Sequence, residues 1–250
     1  MSTQNASPKP EVVIREVTSN VCIFSRPLNL YNRLPVGGRS TAIKLNNGTI
    51  WLLASTPLND ETKAKLKELG NDVRFIVAPN VMHHLFLKPY KDYFPQAKVI
   101  GPKGLNEKKK AEGWQLDAVF DEDHPEVKYG FEDEIDYCFF SGYKNQDVAF
   151  FHKASKTAFG ADLLFNLPGY EQYTFADTSA YFPVLAYLRP RSWLMQLFIW
   201  KNELDFGKMK QHAAIVAKWD FNRWIPCHGN VIENNARSAF KDTYSRYGPF

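Results

Sequence analysis

The adjacent histidines His83–His84, the aspartate Asp162 and the segment Cys227–His228–Gly229 are the residues whose types could do chemistry together. Imidazole and carboxylate donors suit zinc, iron or manganese. Each cluster directly follows an apolar run: Phe75–Ala78 precedes the histidine pair, Thr157–Gly160 precedes Asp162, and Trp224–Pro226 precedes His228. Loops at strand ends collect functional residues in layered α/β proteins, and three such loops at one edge of a core can meet. A lone histidine is more often structural than ligating. The adjacent pair is more informative, because two neighbouring imidazoles need a reason to coexist. His124, in the acidic loop Asp121–Pro125, reads as surface, and His212 reads as a partly exposed mid-helix residue. His152 ends a strand and fits either a bond to a neighbouring carbonyl or a place at the site.

Other chemistries fit poorly. The sequence has no Gly-x-Ser-x-Gly elbow. Cys227 and His228 are neighbours on a strand, where successive side chains point opposite ways. Gly37–Gly38–Arg39–Ser40–Thr41 lacks the lysine that a phosphate-cradling loop requires.

The elements that must position these residues alternate between strand and helix. Glu11–Val17 and Val21–Ser25 read as short strands, and Ser40–Leu45 and Thr49–Leu53 as a hairpin around Asn46–Asn47–Gly48. A helix follows, with Asn59 as cap, Asp60 and Glu61 at its positive end and Gly70 as its stop. Val73–Ala78 is a buried strand, Leu85–Phe94 a helix strained by Pro89, and Ala97–Ile100 another strand. Ile135–Phe140, Val148–His152 and Lys156–Gly160 continue the β pattern. The aromatic segment 165–200 is expected to be helical, laid over a pocket or a subunit contact. An amphipathic helix begins at Asp205, a strand covers Arg223–Cys227, and a last helix covers Ile232–Tyr244.

Bulk properties bound the class. With 250 residues, 44% hydrophobic and 23% charged, the chain has ordinary globular composition, which suits one domain over 11–250 after a flexible leader at 1–10. A formal charge of +4 is too weak to indicate nucleic-acid binding, and the one dense basic run, Lys108–Lys110, reads as a solvated helix face. No apolar stretch approaches the roughly 18 residues of a membrane span, and no signal peptide is visible. Three cysteines, an odd number without close pairing, favour a reducing compartment, hence the cytoplasm.

The order of the clusters resembles the metallo-β-lactamase superfamily and, more narrowly, an uncharacterised branch of it, the domain family of unknown function 4336. The segments that carry the resemblance are Gly38–Ile43, Val77–His84, Gly160–Phe165 and Pro226–Gly229. It implies an α/β fold of the αββα sandwich type, two mixed β-sheets flanked by helices. Active members of the superfamily carry a His-x-His-x-Asp-His loop, a later Gly-His, a bridging Asp and a final His-Gly, and bind two metals that activate water. In this sequence Pro79 and Val81 stand where the two leading histidines would be, His83 stands at the Asp position, and Gly142–Tyr143 replaces Gly-His. Asp162 and His228 match. The losses fall on one metal site and leave a second built from His83, His84, Asp162 and His228.

The resemblance implies one divalent transition metal, zinc first, with iron or manganese compatible. One reading is a mononuclear hydrolase of an ester, lactone, thioester or phosphodiester, acting on a small molecule. Asp162 would be ligand and orienter, Tyr143 would assist proton transfer, and Arg39, Arg189 or Arg191 would bind an anionic group. Ion pairing at the surface explains these arginines equally well. The other reading is a degenerate scaffold, with a structural metal or none, serving ligand or partner binding, including self-association through 165–200. Four closed ligands would favour the scaffold, and three with an open position the enzyme.

Overall fold

Side chains alternate along the strands, and that alternation sorts the apolar residues into three cores. The computed structural model describes residues 9–250, so most of the expected leader lies outside them. The first half holds strands β1 (Val13–Thr18), β2 (Val21–Arg26), the two-residue β3 (Asn29–Leu30) and β4 (Leu34–Pro35), β5 (Gly38–Lys44), β6 (Ile50–Leu53), β7 (Val73–Val77), β8 (Lys98–Pro102) and β9 (Ala118–Phe120). Helices α1 (Asp60–Leu69), α2 (Leu87–Tyr93) and α3 (Lys103–Ala111) are threaded among them. The second half holds β10 (Ile135–Phe139), β11 (Val148–His152), β12 (Thr157–Gly160), α4 (Trp193–Lys201), α5 (Phe206–Lys218), β13 (Arg223–Pro226) and α6 (Ala236–Thr243).

A seven-stranded sheet runs β1-β2-β5-β6-β7-β8-β9, antiparallel as far as β6 and parallel from there. A four-stranded sheet runs β10-β11-β12-β13, with only the last pair parallel. Trp51, Phe75 and Val77 from the first sheet meet Phe150, Phe159 and Ile225 from the second in the central core. Their chain neighbours turn the other way: Leu52 and Ile76 pack with Leu66, Leu87 and Leu105 of α1–α3, while Ala158 and Trp224 pack with Met195, Met209 and Phe240 of α4–α6. A period of two on both sheets therefore gives four layers, the αββα arrangement.

Local signals work where they are purely local. Asn59 caps α1 by accepting from Thr62 N, and Gly70 ends it at φ 144. Pro89 causes no break, because it sits in the first turn of α2, where its missing N–H has no intrahelical partner to lose. Two expectations shift. Between 163 and 192 the chain forms only short 3₁₀ turns, at Tyr170–Tyr173 and Leu185–Tyr187, among Pro168, Pro183 and Pro190. The last helix starts at Ala236 because Ile232 is taken into a backbone bridge with Trp224.

The C-terminal ends of β6, β7, β12 and β13 open on one edge of the sandwich. The loop after β7 is tied across the two sheets there by Val148 N donating to Pro79 O (2.8 Å) and Val81 N to Asn145 O (3.0 Å).

Candidate metal centre

His83 comes from the loop after β7, Asp162 from just beyond β12, and His228 from just beyond β13. Their donor atoms face one another. His228 Nε2 lies 3.3 Å from His83 Nε2 and 3.4 Å from Asp162 Oδ1, and His83 Nε2 lies 3.6 Å from the same oxygen. Two imidazoles and a carboxylate thus form a nearly equilateral triangle, and among the described residues this is the one group of three such donors close enough to hold an ion. A tetrahedral ion with bonds of about 2.0–2.1 Å would separate its ligands by about 3.3–3.4 Å. The residues present fit a zinc-sized cation.

Neighbouring groups fix each donor's orientation, as ligating residues require. His228 Nδ1 lies 2.6 Å from Gly37 O. A carbonyl only accepts, so that nitrogen carries a proton and donates it, which turns Nε2 to the triangle. Ser55 Oγ sits 3.1 Å from His83 Nδ1. Asp162 Oδ2 accepts from Asn80 Nδ2 (2.8 Å) and Asn145 Nδ2 (2.7 Å), which leaves Oδ1 to the triangle. Asn80 is itself locked, because its Oδ1 accepts from Met82 N and His83 N. This one amide winds the histidine loop and aims the aspartate.

A second carboxyl, Asp147, lies beneath. Its Oδ1 accepts from Asp162 N (2.8 Å) and Asn80 Nδ2 (3.2 Å), while its Oδ2 is buried without a partner among the described residues. Burial, then the charge of Asp162, push the Asp147 carboxyl well above the ordinary range. Burial opposes charge on Asp162 too, but the imidazoles of His228 and His83 outweigh it and hold that carboxylate well below the ordinary range. Both directions favour negative charge on Asp162, the residue that faces the histidines.

The turn that carries His228 is held from two sides. Arg39 Nη1 donates to Pro226 O and Gly229 O, both at 2.6 Å. Gln172 Nε2 donates to Cys227 O (2.7 Å), and its Oε1 accepts from Gly229 N (2.8 Å). Gly229 has φ +98, and a Cβ there would fall 2.2 Å from Asn166 O. Only glycine lets the turn pass so close to that carbonyl.

Other expected site residues lie elsewhere. His84 is turned away from the triangle: its Nε2 accepts from Lys108 Nζ at 2.7 Å. Burial, then the charges of Lys109 and Lys108, lower its pKa. Lys109, expected on a solvated face, is buried and pairs with Glu112. Tyr143 is fully buried, and desolvation pushes its phenol well above the ordinary value. Arg39 is fully buried and engaged by Ser25, Pro226, Gly229 and Glu171, which leaves it nothing to offer a substrate. Arg191 points to Asp242 and Ser238 on the helical side, and Arg189 lies over the Tyr187 ring. His152 bonds Ser155, and His212 is buried against Phe140 rather than partly exposed. Sequence reasoning does not single out Ser55, Asn80, Asn145 or Gln172. The first three share the signal that points to the ligands, a polar residue in the loop following a strand, or joining two, at the same edge.

The triangle forms part of the wall of a cleft of about 580 Å³. Phe165, Leu185, Leu188 and Phe198 line it, so part of the aromatic segment does cover a pocket. Other residues of that segment, Tyr187 and Trp193 among them, stay exposed.

A family model described as "Domain of unknown function (DUF4336)" matches residues 20–181, which include His83 and Asp162 but not His228. Solved metallo-β-lactamases share the architecture. The enzyme FIM-1 from Pseudomonas aeruginosa, in its mono-zinc form, superposes with a TM-score of 0.61 over 97% of each chain at 15% identity. The metallo-β-lactamase from Hirschia baltica gives 0.60 over 96% of this chain and 100% of its own at 12% identity. DIM-1 gives 0.62 over 96% and 98% at 14% identity. No curated protein matches the sequence.

Proposed function

The chain belongs to the family described as Domain of unknown function (DUF4336) and has the metallo-β-lactamase fold, and from that premise we propose that it is a single-metal hydrolase of a small-molecule ester, lactone or thioester. The observation that carries this reading is the triangle of His83 Nε2, Asp162 Oδ1 and His228 Nε2 on the wall of a cleft. Three protein donors leave one tetrahedral position for water or substrate, as in catalytic rather than closed structural sites. With His84 turned to Lys108, the donors number three, not four. That favours an enzyme over a scaffold with a structural metal.

A bound divalent transition ion, zinc first with iron or manganese compatible, would supply Lewis acidity and bring a water's pKa towards about 7. The chain's own residues do the rest. His228, fixed by Gly37 O, and His83, beside Ser55, turn their Nε2 atoms to the same point. Asp162 brings a carboxylate, with Oδ2 pinned by Asn80 and Asn145 so that Oδ1 cannot swing away. The cleft lining argues for a carbonyl substrate over a phosphodiester. Among the described residues and apart from the histidines, its cationic side chains reduce to Arg26, whereas phosphate backbones call for several cations. The three free, buried cysteines suit a cytoplasmic setting, and no helix among the described residues is long and apolar enough to cross a membrane.

Metal analysis of protein purified without chelator is expected to find about one transition ion per chain, and Asp162→Ala to lose the ion and any esterase activity together. Consistent absence of metal after reconstitution would overturn the reading.

A further inference from the structure

The cleft is larger and more apolar than the reacting group of an ester requires. Leu28, Leu30, Leu34, Val36, Leu188 and Phe198 line the same cavity of about 580 Å³ as the three donors. That volume suits a ligand of several hundred daltons rather than an acetyl group. At its mouth Leu30 is 45% exposed, Met82 60% and Leu85 72%, a cluster of apolar side chains that an apolar ligand would cover. Among the described residues, Arg26 is the only lysine or arginine on the lining, and Asp162 the only carboxylate.

We propose that the substrate carries an extended hydrocarbon arm beside its scissile carbonyl, with the carbonyl at His83, Asp162 and His228 and the arm along the leucines. The inference rests on the hydrolase reading and names its substrate class. In the reaction the oxygen of water bonds to the acyl carbon and the acyl C–O or C–S bond breaks. One water proton ends on the departing alkoxide or thiolate, giving a carboxylic acid and an alcohol or thiol. The arm belongs to the acid or to the alcohol half, and the test separates the two.

The experiment uses the full chain with its metal and two series, nitrophenyl esters from acetate to decanoate and acetate esters from methyl to decyl. In one series kcat/KM is expected to rise about two- to fourfold per methylene until the cleft is filled, the increment of transferring a methylene out of water. In the double variant Leu30→Gln, Leu85→Gln, altered at exposed positions, that slope flattens while metal content holds. Hydrolysis with a flat or falling slope in both series overturns the arm and leaves the hydrolase standing. If the metal-loaded protein hydrolyses no ester, the hydrolase reading fails, and displacement of bound Nile red by ethanol through decanol decides the cleft. Displacement that strengthens with chain length upholds an apolar-arm site, and displacement independent of length overturns it.

Discussion

Adjacent imidazoles on one loop take opposite roles here. His83 meets Asp162 and His228, while His84 is neutralised by burial and by Lys109 and Lys108 and accepts from Lys108. His83→Ala is therefore expected to lose the metal, whereas His84→Ala keeps a full complement, as metal analysis of the two purified variants would show. A loss of metal in both would place His84 among the donors. The sequence points to this pair but cannot choose within it. The choice is made by Asn80, whose side chain accepts from the backbone of Met82 and His83 and so sets the turn. Asp162 and His228 are legible because each follows a recognisable apolar strand. Arg39 misleads for the opposite reason. A charged residue in an apolar strand looks like a reach toward substrate, but its guanidinium is spent on two carbonyls of the His228 turn, on Ser25 and on Glu171.

Among the elements, the turn after β13 depends most on contacts from elsewhere. Arg39 on β5 joins the first sheet to that turn. Replacing it with alanine would leave Pro226 O and Gly229 O without that donor, in the interior, and remove one of the two cations facing Glu171, Arg15 being the other. Arg39→Ala is expected to cost about 2–4 kcal/mol from the two carbonyls left unsatisfied, measurable by denaturant unfolding, and a cost under about 1 kcal/mol would argue against a clamp. Gly229→Ala adds a Cβ against Asn166 O at a positive φ, with about 1–3 kcal/mol of backbone strain alone. Its metal content should fall along with its stability. An element whose signals are local, such as α1 between Asn59 and Gly70, is legible in its own residues. The segment 163–192 is not. Its aromatic richness suggests helices, but its prolines and its packing over the cleft leave it in short 3₁₀ turns, a tertiary outcome with no local code.

At the scale of the molecule, three cores and two sheets explain both stability and its dependence on pH. His212 on α5 is buried against Phe140 of the outer core, with Nδ1 unpartnered among the described residues. Burial lowers its pKa, with Glu122 and Asp205 opposing and Lys208 assisting. A histidine lowered in the fold binds fewer protons than in the unfolded chain, so stability rises with pH through that window and falls as acid takes the pH below about 6.5. Thermal melts should show the disadvantage of wild type relative to His212→Leu widening from pH 7.5 to pH 5.5. A constant gap would remove His212 from the acid response. The αββα layering follows from the resemblance that the order of the clusters carries, and the alternation of strands and helices is only compatible with it, whereas the three-donor geometry is not legible, since it is made by Gly37, Ser55, Asn80 and Asn145 acting across both sheets. The triangle also bears on how the protein is made. His83 and His228 are separated by 145 positions, and Arg39, which holds the second, comes before both. A chain emerging from the ribosome offers His83 first and Asp162 later, and it lacks the third donor until its final strand has been translated. An ion held by all three donors would therefore be captured only once β13 has been made, and it would be selected from the ions the chain meets from then on.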